Sequence, residues 1–310
     1  MEGARAAERD GADVDITLST KSAYYEALRA DAEAEQAENL LTATRRFAEA
    51  AQIQFDAGDT PRSNIVRSQI EVSRAEQTLL AAQTDRDIRY ATLRSLIGLP
   101  ETLPLVLTDA LTYQPQNYDR SALIALASRS RPDVLTARRL AASLNADVRG
   151  AKAQGQPDFV LEGRRATLFG NSGNRNLTQQ GDSLRFGIIF PVFDYGRIRA
   201  DVRNTQALHQ EQEALVREAE RVARLDVETV LRERTQAALL VESFQNGRLG
   251  RSKEILEMVN IGYTNGANSY LEVIDAQRVY QAEQVEYARA LAAVNIATAR
   301  LERAVGGRLP

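Results

Sequence analysis

The chain has 310 residues with 42 acidic and 39 basic side chains, giving a net charge of −3 and a pI of about 5.6, so nucleic acid is not expected as a partner. It contains no cysteine, which excludes disulfides, thiolate metal sites and cysteine nucleophiles. The single histidine, His209, lies in a polar helical stretch and reads as a surface residue; with no Gly-rich phosphate loop either, no catalysis, cofactor or metal is expected.

The opening "MEGARAAERDGADVD" lacks the basic-then-apolar layout of a secretory leader, and no apolar run is long enough for a transmembrane helix. Taken alone, that start suggests a cytoplasmic protein. A first long helix is predicted from about Ser19 to Phe55. "DAGDTP" is its reversal, and a return helix reaches about Ile97, closed by "LIGLP". Gly58 belongs to that tip, where a reversing helix needs backbone angles that glycine tolerates. "GLPETLPLVLTDALTYQP" follows as a loop-rich connector with modest strand character.

The next helix opens with "SRPDV", where Pro132 and Asp133 suit a first helical turn. Phe159 to Phe169 reads as a strand, the Gly/Asn-rich run "GNSGNRNLTQQGD" as a polar loop, and "SLRFGIIFPVF" as a second strand. Within it Leu184, Phe186, Ile188 and Phe190 share one face, with Arg185 and Gly187 on the other. The "NLT" at Asn176 reads as a chance sequon. One apolar face beside a polar loop fits an outer-membrane barrel hairpin. A soluble β-hairpin carries the same signal, and on these residues alone it is the favoured reading. From Arg197 a second long helix runs to Tyr263, turns at "TNGAN" with Gly266 at the reversal, and returns to Val305.

The two helical regions repeat each other. A constant offset of 208 residues pairs Phe55 with Tyr263, Gly58 with Gly266, Gln69 with Gln277 and Gly98 with Gly306. Val273, Tyr280, Tyr287, Val294 and Leu301 recur every seven residues. Ala276, Ala290, Ala297 and Ala304 form a second seam that Glu283 interrupts. In the first region Ile65, Val72, Leu79 and Leu93 follow the same period, interrupted by Arg86. Such heptads predict coiled-coil hairpins with left-handed supercoil. A soluble coiled-coil scaffold and a periplasmic adaptor are the other readings of this pattern, although an adaptor would place one hairpin between β-rich halves.

"SRPDV" at 130–134, "PVFDYGR" at 191–197, "YTNGANSYLEVIDAQ" at 263–277 and "LIGLP" at 96–100 together resemble the TolC-like outer-membrane efflux proteins, in order and spacing. The resemblance implies a mainly α protein with long antiparallel hairpins forming a periplasmic tunnel, and a β-hairpin contributing to a shared outer-membrane barrel. The implied organisation is a helical hairpin over 1–100, a connector over 101–130, a helix over 131–156, a β-hairpin over 157–195 and a second helical hairpin over 196–306. It also implies a homotrimeric, passive export duct of an efflux or type I secretion system. A periplasmic adaptor and an inner-membrane pump are its partners, and outer-membrane lipid surrounds its barrel.

Specific residues follow from the same resemblance. Pro191 and Gly196 mark the passage from barrel to tunnel, since proline cannot donate to a strand ladder, and Leu184, Phe186, Ile188 and Phe190 face lipid. The tips Gly58, Asp59, Thr60, Gly266 and Ala267 are expected to meet the adaptor. Glu272 and Asp275, three apart beside the seam, are expected to form an acidic ring at a pore constriction, with Tyr263 as a gate residue. Asn64 and Asn268 stand where the family would place charged gate partners. The family pattern also has a leader, an initial helical portion and a first strand hairpin before the matching region. Met1 is accordingly expected to lie inside a descending helix, and the chain by itself is expected not to close a channel, because half a barrel leaves open edges in lipid.

Overall fold

The computed structural model describes residues 2–58, 60–172, 175–190 and 193–310. Helix α1 spans Glu2–Asp56, α2 Arg62–Ile97, α3 Arg120–Ser130 and α4 Pro132–Ala153. Strands β1 (Asp158–Ser172) and β2 (Arg175–Ile189) follow, then α5 (Arg197–Ser243), a π-helical turn over Phe244–Arg248, α6 (Leu249–Thr264) and α7 (Tyr270–Val305). The chain divides into a hairpin unit of residues 1–5 and 133–220 and a helical unit of residues 6–132 and 221–310.

In the hairpin unit β1 and β2 pair antiparallel, from Asp158 opposite Ile189 out to Ser172 opposite Arg175. The predicted polar loop is therefore mostly strand. Its Gly and Asn residues lack the apolar alternation by which a strand is recognised, yet the ladder continues through them. β2 also stops at Ile189, short of the predicted end at Phe193. Beyond it the chain turns at Tyr195 (φ 50°) and Gly196 (φ 81°). Asp194 secures this turn: its carboxylate accepts from the N–H groups of Gly196 and Ile198, each at 3.1 Å. Those two bonds hold its carboxyl below the usual carboxylate range. Pro191 lies outside the described residues, so the passage is seen here only from its helical side. α4 and α5 are joined by Arg138 to Glu220 (2.6 Å) and Gln212 to the carbonyl of Ala137 (3.3 Å).

In the helical unit the heptad seams are the core. Val273, Val294 and Leu301 are buried, as are Ala276, Ala290, Ala297 and Ala304, while Tyr280 and Tyr287 are half-buried. Small residues on one seam let large ones on the other reach across a narrow gap. Leu123 and Ala127 of α3 join Val227 of α5 and Leu301, Ala304 and Val305 of α7 in one cluster. Ala238, Val241 and Phe244 meet Ala290, Leu291 and Val294 in another.

The exception at Glu283 has a partner. The predicted single helix from Arg197 to Tyr263 is interrupted, with Gly247 at φ 115° inside the π-helical turn. That bulge presents Arg248 to Glu283 at 2.6 Å and stacks its guanidinium 4.6 Å from the Phe244 ring. Charge thus enters the seam where the opposing helix breaks its own period.

The connector forms no strand among the described residues; its strand character is overridden because helix side chains bind its backbone. Arg94 donates to the carbonyls of Pro100 and Leu103, Arg234 to Gln116 and Asn295 to Thr112. Arg234 is buried and also lies over the Tyr118 ring. Helix α3 was not foreseen within 101–130. Asp119 caps it by accepting from Ser121 and Ala122, and its buried Leu123 and Ala127 stand four apart. α1 and α2 are tied by a charge network around Arg29, which contacts Glu26 and Glu33 on α1 and Asp85 on α2 at 2.7–2.9 Å.

Candidate functional site

The two helical reversals carry most of the residues singled out in the sequence. At the first, Gly58 adopts φ 84° and its N–H donates to Phe55. Asp59 lies outside the described residues. Thr60 accepts from the Asn64 side chain at 2.7 Å. At the second, Gly266 adopts φ 74° and donates to Tyr263, while the N–H groups of Ala267 and Asn268 both reach the carbonyl of Gly262. Asn268 folds its side chain over Gly262, so closely that a β-carbon there would overlap it. Both glycines are thus turn residues, and both asparagines make local bonds.

Tyr263 hydrogen-bonds neither asparagine side chain. Its hydroxyl donates to Gln54 Oε1 at 2.8 Å, joining the last turn of α6 to the last turn of α1. Burial pushes the phenol up. Nothing local marks Gln54 in the sequence. Its partner is more than two hundred residues away. Tyr270 is almost wholly buried, 6.2 Å from the Tyr263 ring, and its hydroxyl is pushed up to about 12 by burial and then by the charge of Glu71. Arg278 on α7 reaches that same Glu71 on α2 at 2.6 Å, and Arg74 adds a second cation at 2.9 Å. The heptad pairing foretold that α2 and α7 are equivalent; it did not foretell this ion pair between them.

Glu272 and Asp275 are both exposed, flanking the buried Val273 and Ala276. The two carboxylates differ in surroundings. Glu272 turns back into a capping box with Ser269, accepting from its N–H at 2.6 Å and its hydroxyl at 3.0 Å. The Asn268 amide adds a third donor at 3.4 Å, and together these hold Glu272 below the usual carboxylate range. Both carboxylates and Arg278 border a groove of about 610 Å³ between α6 and α7, whose apolar lining is Ile255, Val259, Leu271, Ile274 and Val279.

In the β-hairpin, Leu184, Phe186 and Ile188 face the same way as their cross-strand partners Gly163, Leu161 and Phe159. All of the apolar ones are at least 45% exposed, and Phe190 is 59% exposed. Glu162 and Arg185 pair on the opposite face. Among the described residues of its own unit this apolar face has no partner.

The family model described as outer membrane efflux protein matches residues 2–99 and 123–307. The chain belongs to that family. It is 28% identical over 256 residues to the pyoverdine export outer membrane protein OpmQ of Pseudomonas putida, covering 77% of this chain and 53% of that protein. It is 25% identical over 307 residues to the toluene efflux pump outer membrane protein TtgF of Pseudomonas putida, covering 96% and 58%. The chain therefore spans little more than half the length of these relatives. Among solved structures, its fold is similar to the outer-membrane channel OprN, with a TM-score of 0.78 at 20% identity, covering 99% of this chain and 69% of that one. The open-state MtrE outer membrane channel of Neisseria gonorrhoeae gives a TM-score of 0.74 at 23% identity, covering 98% and 68%.

Proposed function

We propose that this chain is part of an outer-membrane duct of a tripartite efflux or type I secretion system. It acts as a passive conduit, with no chemistry of its own, in a homotrimer. The carrying observation is one family chain holding two heptad-packed helical hairpins and a β-hairpin with a bare apolar face. Energy then comes from an inner-membrane pump, reached through a periplasmic adaptor. Fractionation of the complete gene product tests this: it should enter the outer-membrane fraction and migrate as a heat-modifiable trimer. Recovery as a soluble monomer would overturn the reading.

The helical tips are the end that meets the adaptor. Thr60 and Ala267 lie at the two reversals, and cysteines placed there should crosslink to adaptor hairpins. Crosslinks forming at the connector instead would count against the tip assignment. The Tyr263–Gln54 and Arg278–Glu71 contacts hold the second hairpin to the first at this end, which suits a gate.

Threefold symmetry would gather Glu272 and Asp275 into an acidic constriction that favours cations. The capping box keeps Glu272 ionised but concentrates three donors on its Oε2, so Asp275 supplies the freer charge. In planar-bilayer recordings of the trimer, Glu272→Gln with Asp275→Asn should weaken cation selectivity and block by multivalent cations. Asp275→Asn alone should account for most of that change. Unchanged selectivity and block in the double variant would rule the ring out.

A further inference from the structure

The apolar face of the β-hairpin ends abruptly. Moving outward from its base, its successive rungs are Phe159–Ile188, Leu161–Phe186 and Gly163–Leu184, and the next is Arg165–Asp182. That fourth rung is a bidentate ion pair, with Arg165 Nε 2.8 Å from Oδ1 and Nη2 3.0 Å from Oδ2 of Asp182. Beyond it the backbone ladder continues out to Ser172 opposite Arg175. At the other end, Phe190, Phe193 and Tyr195 are exposed, Tyr195 completely so.

Spacing gives this pattern a meaning. The eight positions from Phe190 back to Asp182 rise about 3.3 Å each along a strand. At a barrel tilt of roughly 40° they cover about 20 Å of depth, close to the ~25 Å apolar band of an outer-membrane barrel. Aromatic residues gather at membrane interfaces, where their rings are apolar and their edges polar, so Phe190, Phe193 and Tyr195 mark the inner edge of the band. The ion pair then falls at the outer edge.

We propose that the outer headgroup plane crosses the hairpin at the Arg165–Asp182 rung, and that Arg165 there contacts the phosphates of anionic lipid headgroups. This rests on the reading that the hairpin lies in the outer membrane. Asp182 occupies the Nε–Nη2 edge of the guanidinium, so the Nη1 donors remain for a second anion, and the Arg165 side chain is 77% exposed. Arginine suits such a position because its planar donors match phosphate geometry. Without Arg165, Asp182 would face those phosphates with a like charge.

These 310 residues contain no tryptophan, and with any tryptophan elsewhere in the full-length protein replaced by phenylalanine a single introduced one reports cleanly. The full-length protein is reconstituted in phosphatidylcholine vesicles brominated along the acyl chains. Fluorescence of Phe186→Trp should be quenched, and that of Gln180→Trp, two positions beyond the rung along β2, should not. Quenching of both would overturn the boundary while leaving the hairpin in lipid. Quenching of neither would remove the membrane reading and this inference with it. For the phosphate contact, Arg165→Gln should lower partition into vesicles containing phosphatidylglycerol about fivefold relative to pure phosphatidylcholine, as expected for one cation at an anionic surface. Arg185→Gln, on the opposite face, should not. Equal losses for the two variants, or none for Arg165→Gln, would exclude the contact.

Discussion

Gly306→Ala should destabilise the helical unit by several kcal/mol, whereas Gly98→Ala should cost about 1 kcal/mol. The two glycines are equivalent in the repeat, and both end a helix in the left-handed region, at φ 80° and φ 66°. Each termination carries the same return bond, from Gly307 to Glu302 at 3.0 Å and from Leu99 to Arg94 at 2.9 Å. Their surroundings differ. A β-carbon on Gly98 would meet nothing within 4 Å, so only the backbone cost applies. A β-carbon on Gly306 would lie 2.7 Å from the Cα and 2.8 Å from the N of Arg131, at the junction of α3 and α4.

That junction cannot easily retreat. Arg131 is buried, with its guanidinium on Asp226 at 2.8 Å, and Leu123 and Ala127 anchor α3 to the end of α7. Overpacking of about 1–3 kcal/mol therefore adds to the left-handed strain. Thermal unfolding followed by far-ultraviolet circular dichroism measures the difference, with a midpoint on the order of 10 °C lower for Gly306→Ala. Equal shifts for both variants would mean that the close approach at Arg131 is not rigid.

Ile188→Arg should abolish assembly of the complete trimer. Ile188 stands on the apolar face opposite Phe159, which is 71% exposed. A cation on a lipid-facing band costs roughly 2–4 kcal/mol at the midplane and less toward its edges; Ile188 lies inside the inner edge, and each of three subunits would bear the charge. Gly187→Arg is the matched control, because it places the same charge one residue away on the opposite face, where Arg185 already stands beside Glu162. Heat-modifiable trimer yield should vanish for Ile188→Arg and persist for Gly187→Arg. Normal yield for Ile188→Arg would refute the lipid-facing assignment.

Periodicity made most of the fold legible. A seven-residue repeat is a local statement about which side of a helix is apolar, and Val273, Ala276, Ala290, Val294, Ala297, Leu301 and Ala304 of α7 are buried on it. The helix ends were equally plain at Gly98 and Gly306, where a left-handed residue closes the last turn. Glu272 and Asp275 are both exposed beside the buried seam for the same reason: positions three apart share a helix face. Where local signal was weak, expectation and structure part. The outer half of the hairpin is strand without alternation, because pairing satisfies its backbone whatever its side chains. α3 was concealed in a connector, although Asp119 and the Leu123–Ala127 spacing were signals for it.

Everything that joins distant segments needed the tertiary structure. The sequence alone determined a family, two hairpins, a β-hairpin and the faces of each, because those are set by neighbours three, four or seven residues away. It could not determine that Tyr263 bonds Gln54 rather than Asn64 or Asn268. Nor could it foresee that Arg248 explains Glu283, that Arg278 shares Glu71 with Arg74, or that Gly306 must be small for the sake of Arg131. Each of these contacts depends on the register in which one long helix lies along another, and a shift of a single turn, about 5.4 Å, would replace every partner.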